Sequence, residues 1–155
     1  MAANITLPPE FSGAAQLLLY TRYGDPRELG WENKWITPWH IQLDFPWFPE
    51  ENVTLHKHFK PILAKAFRAL EDAGLHREIK ACECCYELRN VHGSDVVLSV
   101  HAWGASMDLN SEENPIGSLG AWSPEFIKMM EDNEIYCGIN WEGRKEPAHF
   151  AMVNG

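Results

Sequence analysis

A chain of 155 residues is long enough to build one domain with a real hydrophobic core, and its 45% hydrophobic content is ordinary for a globular protein. The formal net charge is −9 at pH 7, from 13 Lys and Arg against 22 Asp and Glu. That balance argues against a nucleic-acid partner, whose phosphates are met by clustered cations, and it gives no long-range steering toward an anionic surface.

The first ten residues lack a basic stretch and contain Pro8-Pro9, and the apolar run Ala14–Leu19 is too short to cross a bilayer. Synthesis in the cytoplasm without a signal peptide, and no membrane insertion, are therefore expected. Residues 12 to 20 are predicted to form a short helix capped by Ser12. From Tyr23 to Pro49 the chain is rich in Trp, Pro and Gly, with Trp31, Trp35, Trp39 and Trp47. This reads as an irregular arm, residues 1–52 with the first helix, packed on a single domain spanning 1–155. Its tryptophans are expected to cover the core, with a ligand-facing rim as the alternative.

From Leu55 to Ala73 the pattern turns helical. Phe59, Ile62, Leu63, Ala66, Phe67 and Leu70 fall on one apolar stripe. Pro61 belongs in a first turn, so the regular helix should start near His58 to Lys60, and Gly74 should stop it. His56 and His58 would share a face only in a strand, which leaves a His-x-His ligand pair as a minor alternative.

Ile79–Tyr86 and Val96–Val100 are predicted strands, joined by a loop holding Arg89 and the turn His92-Gly93-Ser94. The cysteines are Cys82, Cys84, Cys85 and Cys137. The cluster Cys-Glu-Cys-Cys could supply soft metal ligands, but it is read as lacking the usual C-x-x-C knuckle spacing. Adjacent Cys84 and Cys85 would face opposite sides of a strand. Buried, reduced thiols are expected, and no disulfide. Farther on, Ser123-Pro124-Glu125 opens a helix with Phe126, Ile127 and Met130 inward and Asp132-Asn133 at its end. Ile135–Ile139, Trp141 and Phe150–Val153 suggest closing strands. The order of elements predicts an α+β fold, a small antiparallel sheet with helices packed on one side.

The stretch Ser99–Asp108 is the most informative. It sets an imidazole, His101, and a carboxylate, Asp108, on either side of Gly104, and is predicted to form strand, turn and strand. His149 is the natural third ligand, and Glu146 stands three residues before it. Two histidines, one carboxylate and a spare glutamate are the parts of a zinc hydrolase with one Zn2+ per chain. On residue types alone, a metal site and packed or solvated side chains remain open together.

Ser99-x-His101-x-x-Gly104-x-Ser106-x-Asp108, followed by Glu146-x-x-His149, resembles the VanY-like zinc peptidases, D-alanyl-D-alanine carboxypeptidases and L-alanyl-D-glutamate endopeptidases that cut peptidoglycan peptides. The usual pattern has alanine where this chain has Ser106, and methionine is common where it has Ala148. The likeness extends upstream to Tyr86–Ser94. It implies a hedgehog/DD-peptidase-like fold, zinc on His101, Asp108 and His149, and Glu146 as the catalytic base. It also implies that Arg89 faces the cleft and binds a substrate carboxylate or the developing oxyanion.

Ser99 is expected to hold a ligand or a substrate group, the alternative being a backbone-bonded strand serine. Trp103 is expected as a cleft wall. The function expected is hydrolysis of peptidoglycan stem peptides by a monomer. An endopeptidase of a phage or prophage lysin, meeting the wall after lysis or delivery by a particle, is placed ahead of a D-alanyl-D-alanine carboxypeptidase. A non-catalytic zinc-binding virion module and a non-heme iron oxygenase are the readings of other classes. The oxygenase usually pairs its ligands as His-x-Asp and has no use for Glu146.

Overall fold

The structure, a computed structural model, describes residues 7–155. Residues 1–6, part of the stretch read for an export signal, lie outside the described residues. The fold is α+β, with two small antiparallel sheets and five α-helices among the described residues. No helix there is long and apolar enough to cross a membrane.

The four-stranded sheet has the order β3 (Cys82–Cys84), β4 (Ser106–Leu109), β6 (His149–Ala151), β5 (Tyr136–Cys137), antiparallel throughout. Side chains alternate along a strand, so each strand has a core set and an opposite set. Met107, Leu109 and Phe150 belong to the core set, together with Cys137. The register sets Asp108 against His149 and Ser106 against Ala151, the opposite set. A slip of one residue would exchange the two sets, so burial of Met107 and Phe150 fixes where Asp108 and His149 point.

Two helices cover the core side. α4 (Phe59–Asp72) buries Phe59, Leu63, Ala66, Phe67 and Leu70, the stripe foreseen in the sequence. Pro61 lies in its first turn, where it removes no helical hydrogen bond, and Gly74 at φ 72° ends it. α5 (Pro124–Asp132) begins at Ser123, whose hydroxyl accepts from Phe126 N at 3.2 Å, and buries Phe126, Ile127 and Met130. Burying five side chains along α4 removes enough apolar surface to contribute on the order of 10 kcal/mol before conformational entropy is counted.

The N-terminal third is more ordered than an irregular arm. α1 (Ala14–Tyr23) starts after Gly13 with no side-chain cap, so Ser12 does not cap it. α2 (Trp31–Trp35), β1 (Ile36–Trp39) and α3 (Ile41–Asp44) follow. β1 pairs with β2 (Val53–His56), a second sheet that the sequence reading did not foresee. β2 was hidden because its Val-Thr-Leu-His runs straight into the helical stripe of α4. Trp39 joins the main core. Trp31 joins a second core with Phe11, Leu19, Val100, Trp103 and Val153. These two tryptophans cover the core.

Between the cores the predicted strands are shorter than expected. Ile79–Tyr86 reduces to β3. Val96–Val100 is no strand; it makes one isolated bridge, Asn90 to Leu98, and then enters a 3-10 turn at Val100–Trp103.

Candidate metal centre

His101 sits in that 3-10 turn, not on a strand. The Ser99 hydroxyl caps the turn by accepting from His101 N at 3.2 Å. This is the local, backbone-bonded alternative foreseen for Ser99, although the residue also lines the cleft. Gly104 then reverses the chain into β4 at φ 65°. It serves a second need, because a Cβ there would lie 2.6 Å from His56 N and 2.8 Å from Ile36 Cδ1. Only glycine allows both the left-handed backbone and the contact with β2, where His56 N donates to Gly104 O at 2.9 Å.

The turn delivers His101 to the carboxylate of Asp108. His101 Nε2 lies 3.2 Å from Asp108 Oδ2, and His149 Nδ1 lies 3.5 Å from Asp108 Oδ1. The two rings are 5.4 Å apart, nearly perpendicular. Each ring is held from behind by a main-chain oxygen: His101 Nδ1 bonds Cys85 O at 2.7 Å, and His149 Nε2 bonds Gly155 O at 2.8 Å. Such an oxygen accepts, so each ring nitrogen facing one carries the hydrogen. In the neutral rings the lone pairs are then His101 Nε2 and His149 Nδ1, and both meet the Asp108 carboxylate.

Acceptor facing acceptor is unfavourable unless positive charge stands between them. The local electrostatics point the same way. Burial by itself would lower the His101 pKa, but the Asp108 carboxylate, with Cys84 behind it, raises it to about 10. Burial would likewise raise Asp108, but the two imidazoles beside it, His101 first, hold its carboxyl well below the usual range. Two imidazole nitrogens and one carboxylate are donors of the kind zinc takes; among the described residues, the group whose ligand atoms all lie within 4.8 Å of one another is Cys84, His101 and Asp108, without His149.

Residues 92–152, less than half of the chain, match the model of a peptidase family described as D-alanyl-D-alanine carboxypeptidase. Over that segment the chain is similar to this VanY-like family. No curated protein and no solved structure matches the chain. The VanY-like segment contains His101, Asp108, Glu146 and His149, and it begins after Arg89 and the Cys82–Cys85 cluster.

His101, Asp108 and His149 line a cleft of ≈ 900 Å³. Glu146 lines it. Its backbone N–H donates to Gly138 O, and its carbonyl accepts from His149 N at 3.1 Å, a turn closed across Pro147. Gly138 makes this possible, since a Cβ there would lie 2.2 Å from Glu146 O. The Glu146 carboxylate is 3.5 Å from Arg144 Nη2. Glu142, the weaker candidate for a base, also lines the cleft.

Arg89 lines the cleft from the other side, brought beside Ser99 by the bond from Ser99 N to Arg89 O at 3.0 Å. Its guanidinium is braced by Glu87 Oε2 at 3.0 Å and Asn90 O at 3.1 Å.

Trp103 is not a cleft wall. It is fully buried in the second core, edge-on to Phe11, with its indole N–H on Gly24 O at 2.9 Å. The wall is Trp141 instead, its ring 5.0 Å from that of His149. Adjacency to a ligand pointed to Trp103, but a 3-10 turn sends neighbouring side chains in different directions. His56 and His58 do not form a ligand pair in the cleft: the His56 ring packs against Tyr23 and Trp35, and its Nδ1 accepts from His58 N.

Other supports went unread in the sequence. Buried Asn110 ends β4 and grips the entry to β3, its Oδ1 accepting from Lys80 N and Ala81 N and its Nδ2 donating to Glu78 O. The indole of Trp122 donates to Pro147 O at 2.8 Å and anchors the Glu146 turn. All four cysteines are free thiols; Cys137 is buried, but Cys82, Cys84 and Cys85 are only partly so. Cys84 Sγ, a nitrogen of His101 and an oxygen of Asp108 lie within 4.8 Å of one another. The sulfur sits at the Nδ1 side of His101, 3.5 Å away, where the Cys85 carbonyl already takes the N–H. Cys84 is therefore a close neighbour of the His101 ring on its Nδ1 side.

Proposed function

We propose that the chain is a zinc-dependent hydrolase of peptidoglycan stem peptides, with His101, Asp108 and His149 as the metal ligands. The observation that carries this is the convergence of two imidazoles, each held by a main-chain oxygen, on one carboxylate, in a cleft that also presents Glu146. The peptidase family match over the same residues supports it.

Bound zinc would supply a Lewis acid and lower the pKa of a water in the cleft. Glu146 takes the proton of the attacking water and returns it to the leaving amine. Its contact with Arg144 holds the carboxylate at the cleft. Arg89, braced at two of its nitrogens, offers the rest of its guanidinium to a substrate carboxylate or to the developing oxyanion. Trp141 gives the peptide an apolar wall beside His149.

Within this reading we favour cleavage between L-Ala and D-Glu over removal of terminal D-Ala. A cleft of ≈ 900 Å³ lies near the upper end of the roughly 300–1,000 Å³ typical of ligand pockets, more room than a dipeptide end requires. An internal stem-peptide bond is the kind a phage or prophage lysin cuts. The family description favours the second reading, a D-alanyl-D-alanine carboxypeptidase. Mass analysis of purified muropeptides after digestion separates the two. A new N-terminal D-Glu is expected; free D-alanine without it would reverse the order, and no zinc-dependent change in any muropeptide would end the proposal.

A further inference from the structure

Cys82 and Cys85 are three residues apart, so the cluster does contain C-x-x-C spacing, which the sequence reading passed over. β3 ends at Cys84 and the chain bends at Cys85 and Tyr86. That bend brings Cys85 Sγ to 3.7 Å from Cys82 Sγ. Both thiols are free and only partly buried. The register of β3 on β4 shifts between Cys82 and Cys84, so this edge is not locked residue by residue to its neighbour. A disulfide needs the sulfurs at about 2.05 Å, a closure of less than about 2 Å.

The same bend cradles His101. The Cys85 carbonyl takes the His101 Nδ1 hydrogen at 2.7 Å, Glu87 N donates to His101 O at 3.1 Å, and Cys84 Sγ rests 3.5 Å from Nδ1. Moving Cys85 toward Cys82 moves the group that sets the ring's tautomer and tilt.

We propose that Cys82 and Cys85 form a redox-active dithiol, a site for thiol–disulfide exchange with small-molecule disulfides, and that closing it weakens the hold of the Cys85 carbonyl on His101. In the exchange, one protein thiolate attacks the reagent's S–S bond, forming a mixed disulfide and releasing one reagent thiol. The second protein thiol, giving up its proton, attacks the protein sulfur of that mixed disulfide, closes the Cys82–Cys85 bond and releases the second reagent thiol. Two electrons and two protons pass from the protein to the reagent. Cys84 stays reduced, because its sulfur is directed at Glu87 and His101 instead. Only the consequence for zinc rests on the metal centre proposed above; the exchange does not.

The test treats the full chain with oxidised glutathione, blocks the remaining thiols with an alkylating reagent, and analyses the tryptic peptide Ala81–Arg89 by fragmentation mass spectrometry. One alkyl group on Cys84 and a Cys82–Cys85 bridge, reversed by dithiothreitol, are expected. Cys82→Ser and Cys85→Ser should each prevent the bridge; Cys84→Ser and Cys137→Ser should not. Zinc affinity, read by competition with a chromophoric chelator, should fall by roughly tenfold in the bridged chain, the scale of losing a hydrogen-bond partner of a ligating histidine. The reduced Cys82→Ser chain should bind zinc as tightly as the reduced parent. Glutathione held stably on one cysteine, a bridge through Cys84, an unchanged zinc affinity after bridging, or zinc loss in reduced Cys82→Ser would each overturn the proposal. A chain that bridges yet binds no zinc in either state would remove the metal centre and leave the dithiol standing.

Discussion

Asp108 and His149 hang from neighbouring strands in direct register, whereas His101 is held by a 3-10 turn and by backbone groups of the bent segment Cys84–Glu87. The two sides of one site are therefore built on different principles. On the strand side, burial of Met107 and Phe150 decides orientation, and the placement of Asp108 and His149 follows from the two-residue period. On the turn side, no periodicity acts; one glycine, one serine cap and one carbonyl do the positioning. A ladder tolerates small changes because many bonds share the load. The turn concentrates its dependence on single groups, so single substitutions there should act through position and stability, not ligand identity.

The largest effects should come from the strand side and its cleft. Asp108→Ala should lose most of the bound zinc and nearly all hydrolysis, since it removes the carboxylate that both imidazoles face. Glu146→Gln should keep zinc and fold while the rate falls by roughly 10²- to 10⁴-fold, the usual range for a positioned acid–base group. Zinc by elemental analysis and hydrolysis rates on the same preparations read both. If Glu146→Gln lost zinc as well, Glu146 would be a ligand and the division of roles proposed here would fail.

Next comes the turn. Gly104→Ala puts a side chain at φ 65° and a Cβ 2.6 Å from His56 N. Left-handed strain and overpacking together should cost roughly 2–4 kcal/mol, measured as a drop in the urea midpoint. A loss below about 0.5 kcal/mol would mean that the turn relaxes freely and that the contrast with the ladder is overstated.

The effect confined to acid pH lies beneath the turn. His56 is buried, its Nδ1 accepts from His58 N at 3.0 Å, and its Nε2 has no hydrogen-bond partner among the described residues. Burial, then the nearby His58 and Lys57, lower its pKa to about 3. The unfolded chain, with a histidine pKa of about 6.5, binds the proton first as pH falls. The contribution of neutral His56 is thus intact above pH 6.5 and declines as pH falls toward 3, by up to about 1.4 kcal/mol per pH unit. In zinc-free protein, His56→Gln should flatten the pH dependence of the urea midpoint between pH 6.5 and 4. The same slope in both proteins would exonerate His56.

The chain by itself settled what depends on residue type and local period. The stripe of α4, the Ser123 cap of α5 and the helices stacked on one side of a sheet follow from rules that act over a few residues. The nomination of His101, Asp108, Glu146 and His149 came from donor chemistry and motif spacing, because a metal site must use those groups. What the sequence left undecided involves contacts between distant segments. β2 was lost inside a helical stripe because its partner β1 lies across an arm with no clear period. Trp103 was expected at the cleft and Trp141 stands there instead, because which way a tryptophan faces depends on the turn that carries it. Cys85 O reaches His101 across 16 residues, Trp122 reaches Pro147 across 25, and Gly138 admits the backbone of Glu146. Backbone carbonyls and close approaches have no side-chain signature, so only the assembled fold could assign them.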